Sequence, residues 1–254
     1  MLKKQYFCTV KAQIMAIGNV TPDSFYAGSR LMSTDKNVDT NRIVSWARKA
    51  IDDGADILDI GACSTRPNST PVDSETEWAR LAPALGAIRE ALPQAQLSLD
   101  TFRPEIARRA LEDFGEMIIN DISGGSEAMY SLVRDYQVPY VWTLRGNLNI
   151  ADTLPHLADI RLILDPGFGF IGSPERDYAC MRLMEDLKQY NLPILVGVSR
   201  KSMVYKPLGL TPETCLEATQ ALQLYALFHG ATILRTHDVA PTARTRYLYT
   251  LLTE

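Results

Sequence analysis

Polar side chains of a particular kind stand where short apolar runs end: Asn19, Thr65, Arg66, Asp100, Asn120, Arg145, Asp165, Lys201, Arg235 and His237. They divide by charge. Asp100, Asn120 and Asp165 offer carboxylate and amide groups that can hold a planar ring carrying several N–H donors and carbonyl acceptors. Arg66, Lys201, Arg235 and His237 form a cationic set. Guanidinium groups suit bidentate phosphate binding, and lysine adds a point charge. Together these groups point to a polar heterocycle bearing a phosphate or diphosphate. No nucleophile–base pair stands out, so no covalent intermediate is implied.

For these residues to meet, the apolar runs must be strands whose carboxyl ends share one face. Arg161 to Phe170 illustrates the unit. Leu162–Leu164 is too short for a helix and long enough for a buried strand. Asp165-Pro166-Gly167 stops it, and Ser173-Pro174-Glu175 opens a helix with an N-cap serine and a proline at the first helical position. The same reading gives strands at Ile14–Ile17, Ile57–Ile60, Leu97–Leu99, Met117–Ile119, Val138–Trp142, Ile194–Val196 and Ala231–Leu234. Helices are expected after Asp39, over Glu75–Ala91 with Pro83 kinking or splitting it, and from Pro104 to Leu111. Further helices are expected over Glu127–Asp135, weakly over Ala151–Leu157, over Pro174–Tyr190, from Thr211 to Phe228, and over Ala243–Leu252. Alternation of this kind implies a parallel sheet. Eight such units in 254 residues fit an α/β chain folded as a single (β/α)8 TIM barrel, one domain over residues 1–254, better than an open doubly wound sheet. Its active site lies at the carboxyl ends of the strands, and phosphate sites in such barrels often follow strands seven and eight, where Lys201 and Arg235 fall.

The composition narrows the class. A net charge of -4 argues against a general nucleic-acid binder. No apolar run approaches the roughly 18 residues of a membrane span, and the start of the chain lacks the apolar core of a signal peptide. A cytoplasmic protein is expected. Cys8, Cys63, Cys180 and Cys215 have no C-x-x-C spacing, which disfavours a zinc site or a disulfide scaffold.

The motifs resemble those of the dihydropteroate synthase family along nearly the whole chain. Gly18-Asn19-Val20-Thr21-Pro22-Asp23-Ser24-Phe25 is similar to the family's first loop and Ser64-Thr65-Arg66-Pro67 to its second. Asp100-Thr101, Asn120 to Gly125, Asp165 to Phe170, Ser199-Arg200-Lys201-Ser202 and Arg235 to Val239 follow in family order. The resemblance implies condensation of 6-hydroxymethyl-7,8-dihydropterin diphosphate with 4-aminobenzoate, giving dihydropteroate and diphosphate. It implies that Asp100, Asn120, Asp165 and Lys201 bind the pterin. Arg235 is to cover the ring and, with His237, hold the diphosphate; Asn19 is to help place Mg²⁺. Thr65 and Arg66 are to close over the reacting centre, with Phe170, Lys201 and Ser202 bordering the aminobenzoate. Asp100, Lys201, Arg235 and Arg66 are the catalytic set. A homodimer through helices near the C-terminus and competition by sulfonamides are further family expectations.

The chain departs from the family pattern in its loops. Ala27 replaces an acid, and Cys63 and Asn68 replace the Glu and Gly that flank Ser-Thr-Arg-Pro. Trp142-Thr143-Leu144 stands for a Met-His-Met run, and Ile171-Gly172 for Gly-Lys. Two other readings stay open on these residues: a non-catalytic pterin-binding homologue and a pterin-dependent methyltransferase domain.

Overall fold

The computed structural model describes residues 12–21, 38–63, 72–145 and 150–254. Eight strands run through it: β1 Gln13–Asn19, β2 Ile57–Gly61, β3 Gln96–Asp100, β4 Ile118–Asp121, β5 Tyr140–Thr143, β6 Leu162–Asp165, β7 Leu195–Val196 and β8 Ile233–Thr236. Every ladder is parallel, in the order β6-β5-β4-β3-β2-β1-β8-β7. A bridge from Leu164 to Ile194 joins the two ends, so the sheet closes into the (β/α)8 barrel expected from the sequence.

The strands sort their side chains by alternation, because successive residues point to opposite faces. Residues on the outward face, such as Ile14, Leu58, Leu99, Ile119, Leu164 and Leu234, join the helices in one large buried cluster. On the inward face, Met15, Ile57, Ile118, Val141, Ile163, Leu195 and Ile233 form a second buried cluster made only of strand residues. This is the floor of the barrel. Two residues further along several of the same strands, and therefore on the same face, stand Asp59, Asn120, Thr143, Asp165 and Arg235. The third strand contributes Ser98 and Asp100, with Ser98 in register with Asp59 and Asp100 with Asn120. The barrel is thus apolar below and polar above, toward the carboxyl ends.

The helices are held at their starts by side-chain caps. Asp39 accepts from Arg42 N at the head of α1 (Thr40–Asp52), Asp73 from Thr76 N at α2 (Ser74–Ala91), and Ser126 from Met129 N at α4 (Glu127–Asp135). Each satisfies a donor that the first turn leaves unpaired. Helix α3 (Pro104–Phe114) opens on its proline as expected. Pro83 neither splits nor ends α2, which runs unbroken through it. The weak helix after β5 is a short turn, α5 (Ile150–Thr153), followed by a 3₁₀ segment, Leu154–Leu157. The helix after β6 is α6 (Pro174–Arg182), continued as 3₁₀ over Met184–Tyr190.

Two helix starts differ from the sequence pattern. A short α7 (Ser202–Tyr205) follows β7, and α8 (Leu216–Phe228) begins later than Thr211. The Thr211 amide donates to Thr214 Oγ1 at 3.0 Å, and the Pro212 carbonyl accepts from Arg200 Nη1 at 2.7 Å. Both groups are committed to a turn, so the helix starts after them. The last helix, α9 (Val239–Thr253), begins earlier than the sequence pattern suggests. Among the described residues, no helix is long and apolar enough to cross a membrane.

The floor carries the polar layer above it. Ile57→Ala, two residues below Asp59, is expected to destabilise the fold by about 2–5 kcal/mol, the range for deleting a fully buried branched side chain. Urea unfolding measures it; a loss under about 0.5 kcal/mol would show that the floor is not tightly packed.

Candidate active site

Arg235 leaves β8 pointing into the barrel. Its Nε donates to Asp59 Oδ2 and its Nη2 to Asp100 Oδ2, each at 2.7 Å. One guanidinium therefore joins β8 to β2 and β3. Asn120 Nδ2 donates to the same Asp59 oxygen at 3.1 Å, which brings in β4. The Asp59 side chain is fully buried, whereas those of Arg235 and Asp100 keep 17% and 13% exposure. Gly61 makes room beside them, since a Cβ there would stand 3.1 Å from that of Asp100.

Asp59 Oδ1, Ser98 Oγ and Asn120 Oδ1 are buried without a hydrogen-bond partner among the described residues. Leaving such groups unpaired is unfavourable. On neighbouring strands, Ser98 Oγ and Asn120 Oδ1 offer acceptors suited to a ligand with several N–H donors.

Lys201 enters from the loop after β7. Its Nζ donates to the Phe168 carbonyl at 2.5 Å and lies 4.8 Å from the centre of the Phe170 ring. Gly169 lets the lysine pass. A Cβ there would approach Lys201 Cδ to 2.8 Å, and the backbone has φ +83°, a conformation that glycine adopts without penalty. Asp165 is buried and accepts from Gly167 N at 2.8 Å; Asp177, in the first turn of α6, accepts from Gly169 N at 2.9 Å. Burial raises the Asp165 pKa, with Lys201 opposing the shift. Burial also lowers the Lys201 pKa from 10.5 to about 8, with Asp165 opposing it. Each charge offsets part of the shift that burial imposes on the other.

Two braces hold the loops. Arg200 makes a bidentate pair with Asp238, Nε to Oδ2 at 2.9 Å and Nη2 to Oδ1 at 2.7 Å. This fastens the loop bearing Lys201 to the loop bearing His237. Arg200 is one of few non-glycine residues with positive φ, +56°, strain of the kind found where a site is held in place. On the opposite side, Tyr140 Oη donates to Asp121 Oδ2 at 2.9 Å, and Trp142 Nε1 to the Gly124 carbonyl at 2.9 Å. These fix the glycine loop after β4.

The sequence that builds this barrel matches a known family model. The model for pterin binding enzymes covers residues 15–153 and 155–237. The chain belongs to the pterin binding enzyme family. Among its relatives, the dihydropteroate synthase of Bacillus subtilis is 35% identical over 92% of this chain and 86% of that protein. A dihydropteroate synthase from Clostridium difficile, solved in the presence of pteroic acid, superposes with a TM-score of 0.84 at 29% identity, over 96% of this chain and 97% of that one. The Xanthomonas albilineans synthase, solved with 4-aminobenzoic acid, gives 0.83 at 30% identity, over 95% and 93%.

In this pterin-binding enzyme the expected residues do not all behave alike. Asp100, Asn120, Asp165, Lys201 and Arg235 converge on the barrel's upper interior. Ser202 opens α7 directly after Lys201, and Phe170 lies over Nζ of that lysine. His237 does not belong with the cations. Burial, with Arg235 second, pulls its pKa from 6.5 to about 3, so its ring is neutral at pH 7. Arg145 is exposed with φ +49°. Thr65 and Arg66 lie outside the described residues, as do Ala27 and Asn68. Asn19 closes β1, and its amide is a hard oxygen donor. No group of three or more His, Cys, Asp or Glu side chains poised for a metal occurs among the described residues. A single amide oxygen still suits Mg²⁺, which dehydrates reluctantly and is commonly held by one or two protein groups together with substrate phosphates. Sequence reasoning passed over Asp59, Asp177 and the partners of Arg200, because they lie inside a strand, inside a helix and far along the chain.

Burial is the largest cause of a pKa of about 7 at Asp100, raised from 3.8. Arg235 opposes it, and Asp59, Glu77 and Asp121 add to it. Between about pH 4 and 7 the folded chain holds a proton there that the unfolded chain has lost, so the group's contribution to stability falls as pH rises through that window. Asp100→Asn, neutral throughout, is expected to compare more favourably with the parent in melting temperature at pH 8 than near pH 4. Equal differences at the two pH values would contradict the assignment.

Proposed function

We propose that this chain is a dihydropteroate synthase that condenses 6-hydroxymethyl-7,8-dihydropterin diphosphate with 4-aminobenzoate. The observation that carries this reading is the convergence of Asp100, Asn120, Asp165 and Lys201, from four separate strand ends, inside one barrel mouth. The pterin ring presents N–H donors and a carbonyl. Asp165 and Asn120 offer acceptors to the first, and Lys201 offers N–H to the second. Arg235 lies beside Asp100, where it can meet the diphosphate, and neutral His237 can donate to it.

The reaction breaks the bond from the methylene carbon to the diphosphate oxygen, and the electron pair leaves with the diphosphate. The arylamine nitrogen then bonds to that carbon and releases a proton to solvent. An arylamine is neutral at pH 7, so its lone pair needs no strong general base. Carboxylates above the floor stabilise positive charge developing at the carbon, and cations stabilise the leaving anion. Asn19 would help hold Mg²⁺, which when bound would supply further neutralisation of that leaving group. On the family resemblance, Thr65 and Arg66 close the site, and exclusion of water protects the electrophilic carbon. Phe170, Lys201 and Ser202 border the aminobenzoate, the place where sulfonamides are expected to compete.

A homodimer forms part of the proposal. The Phe228 end of α8 and Tyr247, Leu248, Leu251 and Leu252 of α9 are large apolar side chains left exposed. Grouped on two adjacent helices, they suit a second copy of the chain. Sedimentation equilibrium is expected to give twice the chain mass, and Leu248→Glu/Leu252→Glu to give one; a monomeric parent would remove the dimer from the reading.

The activity test mixes the protein with dihydropterin diphosphate, 4-aminobenzoate and Mg²⁺ and follows both products. Aminobenzoate-dependent diphosphate release with equal dihydropteroate is expected. Lys201→Ala, Asp165→Ala and Arg235→Ala should each slow turnover about 10²-fold or more, the order for groups that stabilise transition-state charge. Binding of the pterin without product would mean a non-catalytic homologue instead, and near-normal turnover in folded Arg235→Ala would sink that residue's role.

A further inference from the structure

We propose that Asp59 is a positioning residue for the reaction, holding Arg235 in the working orientation through a single carboxylate oxygen; this rests on the synthase reading above. The geometry is specific. Asp59 Oδ2 accepts from Arg235 Nε at 2.7 Å and from Asn120 Nδ2 at 3.1 Å. It is the point where strands β2, β4 and β8 meet above the floor. Asp59 itself is fully buried.

Arg235 needs such a hold. An arginine side chain has many rotamers, and ordering it is entropically unfavourable. Two contacts remove that freedom here: Nε to Asp59 fixes the base of the guanidinium plane, and Nη2 to Asp100 fixes its far edge. Nη1 stays outside both ion pairs. The two carboxylates are not equivalent. Asp100 is the more exposed of them, and on the synthase reading it turns to the pterin. Asp59 lies beneath and keeps its grip when Asp100 is engaged. A buried carboxylate is strongly unfavourable unless paired, and its neighbours on the floor are apolar. Its other oxygen has no partner among the described residues, so the fold leaves part of its capacity unused.

Asparagine separates the two interactions. Asp59→Asn keeps the shape and an oxygen for the Asn120 amide but removes the charge that pairs with Arg235. The test is a double-mutant cycle on the whole protein with Asp59→Asn, Arg235→Ala and both, each checked for folding by circular dichroism. In the parent background, Asp59→Asn is expected to lower kcat/KM by about tenfold or more, a coupling ordinary for residues in direct contact. In the Arg235→Ala background the same change should alter kcat/KM less than about twofold. Equal losses in the two backgrounds would overturn the proposal. If Asp59→Asn alone is too unstable to assay, the same cycle is run with Asp59→Glu, which keeps the charge but displaces the oxygen: a loss in the parent background that vanishes in Arg235→Ala supports the positioning role, and equal losses refute it. The cycle is also read as the dissociation constant for dihydropterin diphosphate by calorimetry. A parent that binds this ligand but makes no dihydropteroate counts against the synthase reading, while the cycle in affinity still tests Asp59.

Discussion

Arg235 can sit inside the barrel because two carboxylates meet it there. A guanidinium withdrawn from water is strongly disfavoured unless its N–H groups find charged acceptors. Asp59 and Asp100 supply them at 2.7 Å. The same pairing constrains what Arg235 can do. An incoming diphosphate does not meet a bare cation; it meets one already matched, and gains only the difference between its own contacts and those it displaces. On the proposed reading, a pterin that engages Asp100 loosens one of those contacts at the moment the diphosphate arrives. Ring recognition and leaving-group recognition are then joined through one side chain.

That arrangement depends on the floor beneath it. Charged groups placed at mid-barrel need a surrounding that neither admits water from below nor lets the strands shift. The cluster of Met15, Ile57, Ile118, Val141, Ile163, Leu195 and Ile233 fills the lower barrel, and interiors packed in this way deform little. It also keeps the dielectric low around Asp165 and Lys201. Burial pushes these two pKa values toward each other, and their mutual attraction limits both shifts. The site holds its charges in tension: each is disfavoured by burial and retained by its neighbour.

Much of this was legible in the chain. The short apolar runs ending in polar residues marked all eight strands, and Asp39, Pro104 and Ser173 marked helix starts by their capping chemistry. The convergence of Asp100, Asn120, Asp165, Lys201 and Arg235 followed from the barrel. Asp59 did not, although a signal was present. It stands two residues after Ile57, as Asn120 follows Ile118 and Asp165 follows Ile163. Reading strand ends alone hides a polar residue flanked by Leu58 and Ile60; reading alternate residues exposes it. The start of α8 was illegible for another reason. Thr211-Pro212-Glu213 carries the same local signal as Ser173-Pro174-Glu175, yet Arg200, eleven positions earlier than Thr211, takes the Pro212 carbonyl. Long-range pairing overrode a correct local preference. The neutrality of His237 likewise depends on burial and on Arg235, neither of which is written in its neighbours.

The departures from the family pattern bear on the same architecture. Where the family has Met-His-Met, Trp142 donates its indole N–H to the Gly124 carbonyl, Thr143 donates to the Asp121 carbonyl at 3.0 Å, and Leu144 is buried. These residues stiffen the loop after β4 that follows Asn120. Thr143 is in register with Asp165, so a small hydroxyl faces the interior where the family places a larger side chain. Asp165 accepts from the Gly167 amide, and the charges of Lys201 and Arg235 both oppose the effect of its burial. Substitution in this part of the chain has been absorbed by loop bracing, while the charged groups above the floor keep their partners.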